Sequence, residues 1–316
     1  MYFPYLRGKQ YELLALKEMA PVLGGGAGIV PVIEPVKEPD GGLERCLDAL
    51  WNNRVAPIIV VNPAVGDLKS EIVSTDVANF VGSRPLVPNL SLGLIISEST
   101  DVRRLLAEYR QHYSNTYDLA LIHDGVAGDL ATLRDESAQL GRKYDLVSDE
   151  LRQRHFRSFI TDSIGVVMHD GFSAEERNSD YLPRVETDFA EDFLYYRDEG
   201  WRGFGDYLTL GRGWSEGGFT PRAVAIHWTY EPAVGSPIKI RHFTSESNGD
   251  LSNVGGKFLE AAGKLARFLD SNGIHTAAAE VMRQHVRNQT YPGLGIVKKL
   301  SIQNHLELMA TILGRP

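Results

Sequence analysis

Leu92-Gly-Leu-Ile-Ile-Ser97 is followed by Ser99 and Thr100, then by Val102, Leu105, Leu106, Tyr109 and Tyr113, and then by Leu119-Ala-Leu-Ile-His-Asp124. The two apolar runs have the length of strands. The residues between them recur at helical spacing, behind a hydroxyl side chain able to cap the helix. A strand that is apolar at successive positions is buried on both faces, which is the condition of a parallel sheet covered by helices. Working outward, the same unit recurs. Phe3 to Leu6 precedes a helical pattern from about Gln10 to Leu23, and Ile29 to Val36 precedes one from Leu43 to Trp51. Pro57 to Pro63 precedes a weaker one at Asp76 to Val81, and the run ending at Asp124 precedes one at Asp129 to Leu140. Gly165 to Asp170, Phe204 to Leu210 and Ala223 to Tyr230 bring the strands to eight, the number that closes a TIM-like (β/α)8 barrel. An open doubly wound parallel sheet is the alternative. Lys143 to Asp162 fits the register badly; either it is an insertion before the sixth strand, or Tyr144 to Val147 is that strand.

The last part of the chain departs from this rhythm. Ile238 to Thr244 alternates like a strand wetted on one side, and Phe258, Leu259, Ala262, Leu265, Ala266 and Leu269 form an amphipathic helix ended by Gly273. Helical segments near Ala277 to Val286 and Ser301 to Leu313 follow. The expected division is a barrel over 1–235 and a C-terminal strand and helical appendage over 236–316, packed on the barrel or on a partner.

The chain has 316 residues, 43% hydrophobic and 23% charged, which suits a folded globular protein. Its single cysteine, Cys46, excludes an intramolecular disulfide and a cysteine-cluster zinc site, and reads as a small core residue. A net charge of −8 argues against charge-driven nucleic-acid binding. The densest basic stretch, Arg152, Arg154, His155 and Arg157, is diluted by Asp149 and Glu150 and reads as a solvated helix face. No apolar run approaches the roughly 18 residues of a membrane helix. Met1 to Lys9 lacks the layout of a secretory signal, so the cytoplasm is the expected compartment.

Tyr2-Phe-Pro-Tyr-Leu-Arg-Gly-Lys9, followed by Glu12, Leu13, Ala15 and Leu16, and then Pro31-Val-Ile-Glu-Pro35, resembles an uncharacterised bacterial and phage group, the beta protein family. Asp170-Gly-Phe172, Arg177-Asn178 with Asp180-Tyr181, Gly205-Asp-Tyr-Leu208 and the segment around His305 extend the resemblance over most of the chain. The resemblance implies a barrel-like fold and a setting in mobile elements or bacterial antiphage defence. A neighbouring-gene protein of nuclease-like character is the partner it implies. It transfers no catalytic roles.

Sites in a parallel barrel form at the carboxyl ends of the strands, where the βα loops converge. That rim is expected to receive Arg7 and Lys9, Glu34 and Lys37, Asn62, Ser97 and Glu98, His123 and Asp124, His169 and Asp170, Asp206 and Thr209, and His227 and Thr229. Adjacent side chains on a strand point to opposite faces, so at most one of His123 and Asp124, and one of His169 and Asp170, faces the barrel axis. The repeated Ile122-His-Asp-Gly125 and Met168-His-Asp-Gly171 mark equivalent strand ends. The candidate acid–base residues are Asp170, Asp206, His123 and His227, and with Glu34 such a set could also hold a divalent metal. No compact metal signature accompanies them.

Two loops add candidate binding residues. Asp170 to Tyr181 carries Arg177, Asn178, Asp180 and Tyr181; an Arg–Asp pair either ties down its own loop or clamps a phosphate or carboxylate. Gly211-Arg-Gly-Trp-Ser-Glu-Gly-Gly218 supplies Gly211, Arg212 and Gly213, suited to turn backbone N–H groups toward an anion or to form a lid carrying Trp214. Gly24 to Gly28 reads as a flexible turn. Neither a serine nucleophile elbow nor a nucleotide P-loop is present. The expected function is a binding or regulatory subunit of a two-protein module, with an anion- or nucleotide-recognising mouth. A hydrolase acting on a phosphorylated or nucleotide substrate is the alternative.

Overall fold

The computed structural model describes residues 1–26, 28–83, 90–113, 116–152, 162–215 and 222–315. Eight parallel strands form a closed barrel: β1 (Tyr2–Leu6), β2 (Val32–Ile33), β3 (Ile58–Val60), β4 (Ser91–Ile96), β5 (Asp118–His123), β6 (Arg142–Ser148), β7 (Ile164–His169) and β9 (Gly203–Asp206). Between them run α1 (Gln10–Leu23), α2 (Gly41–Asn52), α3 (Thr75–Gly82), α4 (Val102–Tyr113) and α5 (Leu130–Ala138). The short α6 (Asp192–Tyr195) precedes β9. The α4 cap differs in detail from expectation. Asp101 accepts the Arg104 N–H, while the Thr100 hydroxyl accepts the N–H of Ser97 and closes the turn before it.

The barrel is the expected one, with two of its parts reassigned. The sixth strand is β6, which contains Tyr144 to Val147; it pairs with β5 on one side and β7 on the other. The run from Ala223 to Tyr230 is not the closing strand. As β10 (Ala225–Tyr230) it pairs antiparallel with β11 (Ile238–Thr244), which pairs in turn with β8 (Glu186–Ala190), making a separate three-stranded sheet. Closure falls to the short β9, which lies between β7 and β1. Its brevity fits the crowding: a Cβ on Gly205 would stand 2.3 Å from the Phe3 carbonyl oxygen and 2.6 Å from the Met168 sulfur, so only glycine fits there.

Strand alternation sorts the core into two layers. Phe3, Tyr5, Val32, Ile58, Val60, Ala120, Ile122, Tyr144, Leu146, Val166, Met168 and Tyr207 fill the barrel. Their neighbours Tyr2, Leu6, Ile33, Ile59, Leu119, Leu121, Val147, Val167 and Phe204 face outward into the helical layer. A third cluster, including Trp228, Phe243, Phe258, Leu265 and Met282, lies between the small sheet and the last three helices: α7 (Val254–Ser271), α8 (Ala277–Arg287) and α9 (Leu294–Leu313).

The final helix does more than append. Its Lys298 pairs with the buried Glu12 of α1 at 2.9 Å, and its Lys299 and Gln303 reach Glu18 at 2.6 and 2.7 Å. His305 bonds Tyr2 of β1 and Asp206 of β9, at 3.0 and 3.1 Å. So α9 covers the outer face where the first and last barrel strands meet, the position of an eighth barrel helix. β10, β11, α7 and α8 are inserted between the eighth strand and that helix, and the third strand of the small sheet, β8, comes from the connection between β7 and β9. Among the described residues, no helix is long and apolar enough to cross a membrane.

Candidate functional site

The inward parity of each strand continues past its carboxyl end and decides what reaches the mouth. On β1, Phe3 and Tyr5 point inward, and Arg7 follows them. After β2, Val32 points inward and so does Glu34. After β9, Tyr207 does. Glu34 is fully buried and accepts three hydrogen bonds: from the Tyr5 hydroxyl at 2.8 Å, from Arg7 Nη1 at 2.8 Å and from the Ala64 N–H at 2.7 Å. A carboxylate offers about four lone-pair positions, so Glu34 is nearly saturated by its own protein. Tyr5 stacks on Tyr207 with ring centroids 5.1 Å apart, and burial raises the pKa of both phenols well above that of free tyrosine.

Residues 211–215 lie across this mouth as a strap. Gly211 turns the chain with φ +71°, in contact distance of Phe172 and Asp170, a conformation that favours glycine. Arg7 donates to the Arg212 carbonyl, and Lys9 Nζ donates to the Ser215 carbonyl at 2.8 Å while sitting 4.2 Å above the Trp214 ring. The Arg212 N–H donates to Asp170 at 2.9 Å, and Asp170 also accepts from the Phe172 N–H at 3.2 Å. The Arg212 guanidinium pairs with Asp124 and lies 3.5 Å from Glu150. Burial works to lower the Arg212 pKa, but Asp124, Tyr207 and Glu150 outweigh it and raise it.

Beside the mouth lies an ionic belt. His169 Nδ1 meets Asp149 at 2.8 Å, and Arg152 joins Asp149 at 3.2 Å to Asp192 at 3.0 Å and also pairs with Glu199. The hydrogen bond to Asp149 raises the His169 pKa against the opposing effect of burial. The same bond lowers the Asp149 pKa.

Of the residues expected at the rim, the structure brings Glu34, Asp124, Asp170, Gly211, Arg212 and Gly213 to one place. Asn62 is close by in chain terms but spends both ends of its amide on the Ile95 backbone, at 2.9 and 2.8 Å, stitching β3 to β4. Lys37 is exposed beyond β2.

The other candidates are elsewhere. His123 points outward with the odd residues of β5 and bonds Asp145 at 2.9 Å, both fully buried under the helices. Asp206 also faces outward, accepting from Tyr2 and from the Leu208 N–H, and meeting His305. His227 left the barrel with β10. It shares a 2.8 Å Nδ1–Nδ1 hydrogen bond with His242, which requires one ring to donate and the other to accept. Burial depresses the pKa of these two to about 3 and about 4, with each helped by a neighbouring cationic group: His242 for His227, and Arg184 for His242.

In the loop after β7, Asn178 donates to the Ala223 carbonyl at 2.8 Å, and Tyr181 packs its ring 4.5 Å from His242. Arg177 and Asp180 are exposed. This segment therefore fastens the barrel to the small sheet. Arg154, His155, Arg157 and residues 216–218 of the glycine-rich loop lie outside the described residues, as does Ala27 of the Gly24–Gly28 turn. Among the described residues, no group of three or more His, Cys, Asp or Glu side chains is arranged to hold a metal ion. The set of Glu34, Asp206 and rim histidines is divided by the barrel wall.

Tyr5, Tyr207 and Glu150 are site residues that the sequence reading passed over. The first two were legible in principle, since the alternation Phe3, Tyr5, Arg7 aims Tyr5 at the same space as Arg7. Comparison with family models, with curated proteins and with solved structures finds no match.

Proposed function

We propose that the chain is a recognition module whose barrel mouth binds a small anion, phosphate or carboxylate, beneath the 211–215 strap. The observation that carries this reading is how Arg212 is paired. Its partners Asp124 and Glu150 have side chains 40% and 78% exposed, and ion pairs this wet are worth at most about 1 kcal/mol. Arg212 can therefore exchange them for the oxygens of an incoming anion at little cost. Arg7 cannot, because its partner Glu34 is wholly buried. Arg7 is the fixed post, and Arg212 the hand that can open.

Arg7, Lys9, Glu34, Asp170 and Tyr207 also belong to the stretches that resemble the beta protein family. That resemblance supplies the wider part of the proposal: a regulatory subunit of a bacterial two-protein module, in antiphage defence or on a mobile element, beside a nuclease-like partner. A hydrolase is less well supported, since Asp206, His123 and His227 lie outside the mouth, and His169 at its border is engaged by Asp149.

Trp214 rides on the strap under Lys9, so its fluorescence reports the strap directly. Titration with inorganic phosphate is expected to change that fluorescence saturably. Arg212→Ala should abolish the response while costing under about 1 kcal/mol of stability, because only exposed pairs are lost. Trp214→Phe should remove the signal yet retain binding by calorimetry. An undiminished response in Arg212→Ala would sink the reading.

A further inference from the structure

A second polar recess lies at the edge of the small sheet and shares no residue with the mouth. The cause is unequal strand length. The last bond between β8 and β11 runs from the His242 N–H to the Val185 carbonyl, at 2.8 Å, while β11 continues to Thr244. Beyond that bond no strand lies beside the β11 edge among the described residues, and α7 forms the opposite wall. The result is a cleft of about 380 Å³. That volume is within the usual range for small-molecule sites, roughly 300–1,000 Å³.

Three cations line it: Arg241, Lys264 and Arg267. Arg241 lies 3.1 Å from Glu186, and Lys264 lies 2.8 Å from Glu246 and donates to the Thr244 carbonyl. Arg267 is exposed and takes part in no ion pair among the described residues. The guanidinium of Arg241 is stacked over Phe268, 4.8 Å from the ring centre, which fixes its plane. Leu182 and Val185, 42% and 43% exposed, make an apolar lip on the other side.

The three cations thus meet between the β11 edge and α7, beside the Phe268 ring and the apolar lip. We propose that this cleft binds a small organic phosphate, with the phosphate between Lys264 and Arg267 and an aromatic or apolar body against Phe268, Leu182 and Val185. Glu186 and Glu246 flank the cations and would repel a longer acidic chain, so the occupant is compact.

Calorimetry with phenyl phosphate tests this. The wild-type protein should bind it, and Arg212→Ala, in which the mouth is disabled, should bind inorganic phosphate, which lacks the ring, about tenfold more weakly than phenyl phosphate. Lys264→Glu with Arg267→Glu should weaken phenyl phosphate by at least about tenfold, since both groups are at the surface and their replacement spares the fold. Arg212→Ala, which disables the mouth, should leave this binding unchanged. Absence of binding by the wild type, equal affinity of Arg212→Ala for phenyl phosphate and inorganic phosphate, or binding that survives the double charge reversal but is lost in Arg212→Ala would each overturn the proposal.

Discussion

The barrel mouth and the seam beneath α9 both draw on β1 and on the end of β9, from opposite sides of the barrel wall, and they differ in how their polar groups are paired. In the seam, Tyr2, Asp206, His305, Thr229 and Asn304 form one chain of hydrogen bonds between 2.8 and 3.4 Å, and every member is at most 2% exposed. Nothing in it can change partners without leaving a dry polar atom behind. At the mouth, Arg212, Asp124 and Glu150 are partly wetted and can re-pair. The difference comes from parity alone: Asp206 and Tyr207 are adjacent, and the wall of the barrel runs between their side chains. The seam holds α9 and the small sheet to the barrel. The mouth is left able to respond.

The largest expected effect tests the rigid side of this contrast. Asp206→Ala deprives Tyr2, His305 and the Leu208 N–H of their shared acceptor. Loss of about 3–5 kcal/mol is expected from urea unfolding, since several buried groups are orphaned together. A loss under about 1 kcal/mol would mean that the seam is wet or loosely packed, and the distinction from the mouth would collapse. Glu34→Ala is the intermediate case. It strands the Arg7 guanidinium, which is 13% exposed, along with the Tyr5 hydroxyl. About 2–3 kcal/mol should be lost, and the strap that Arg7 holds should loosen, read as faster proteolysis within residues 211–215. Stability lost without strap release would detach Arg7 from its role as the post.

How far the sequence reveals this arrangement depends on which physical rule is asked. The apolar runs from Leu92 to Ser97 and from Leu119 to Asp124 announce a parallel sheet because burial on both faces leaves no other pattern. The identity of the closing strand is hidden. Gly203–Asp206 is short and glycine-rich, while Ala225–Tyr230 is longer and more strand-like, so propensity favours the wrong one; crowding around Phe3 and Met168 is a tertiary constraint with no local mark. The helix containing His305 looks dispensable to a barrel in the sequence, because the helix that completes the outer layer is separated from its strand by β10, β11, α7 and α8. At the site, Glu34, Asp170 and Arg212 were legible as polar residues ending apolar runs. Asp206 and His123 met the same description and lie behind the wall, because a strand end displaces by one residue and that displacement reverses the side-chain direction.

The smallest expected effect concerns the belt that borders the mouth, and it is a matter of pH. His169 has a raised pKa in the folded protein, chiefly through its bond to Asp149. Its contribution to stability is therefore fully present below the unfolded histidine value, near 6.5, and is lost as pH rises through the folded value. Asp149 has a lowered pKa, so its contribution is present above the unfolded carboxylate value, near 3.9, and is lost as pH falls through the folded one. Both conditions hold together between about pH 4 and 6.5, where the pair should stabilise most. The side chains are 34% and 38% exposed, which screens the interaction and keeps it below about 1 kcal/mol. The difference in thermal midpoint between wild type and His169→Gln should be greatest near pH 5–6 and shrink on the alkaline side. A difference that instead grew above neutral pH would show that His169 is held in its neutral form. The belt would then be an ordinary neutral hydrogen bond, and the mouth would lose its titrating border.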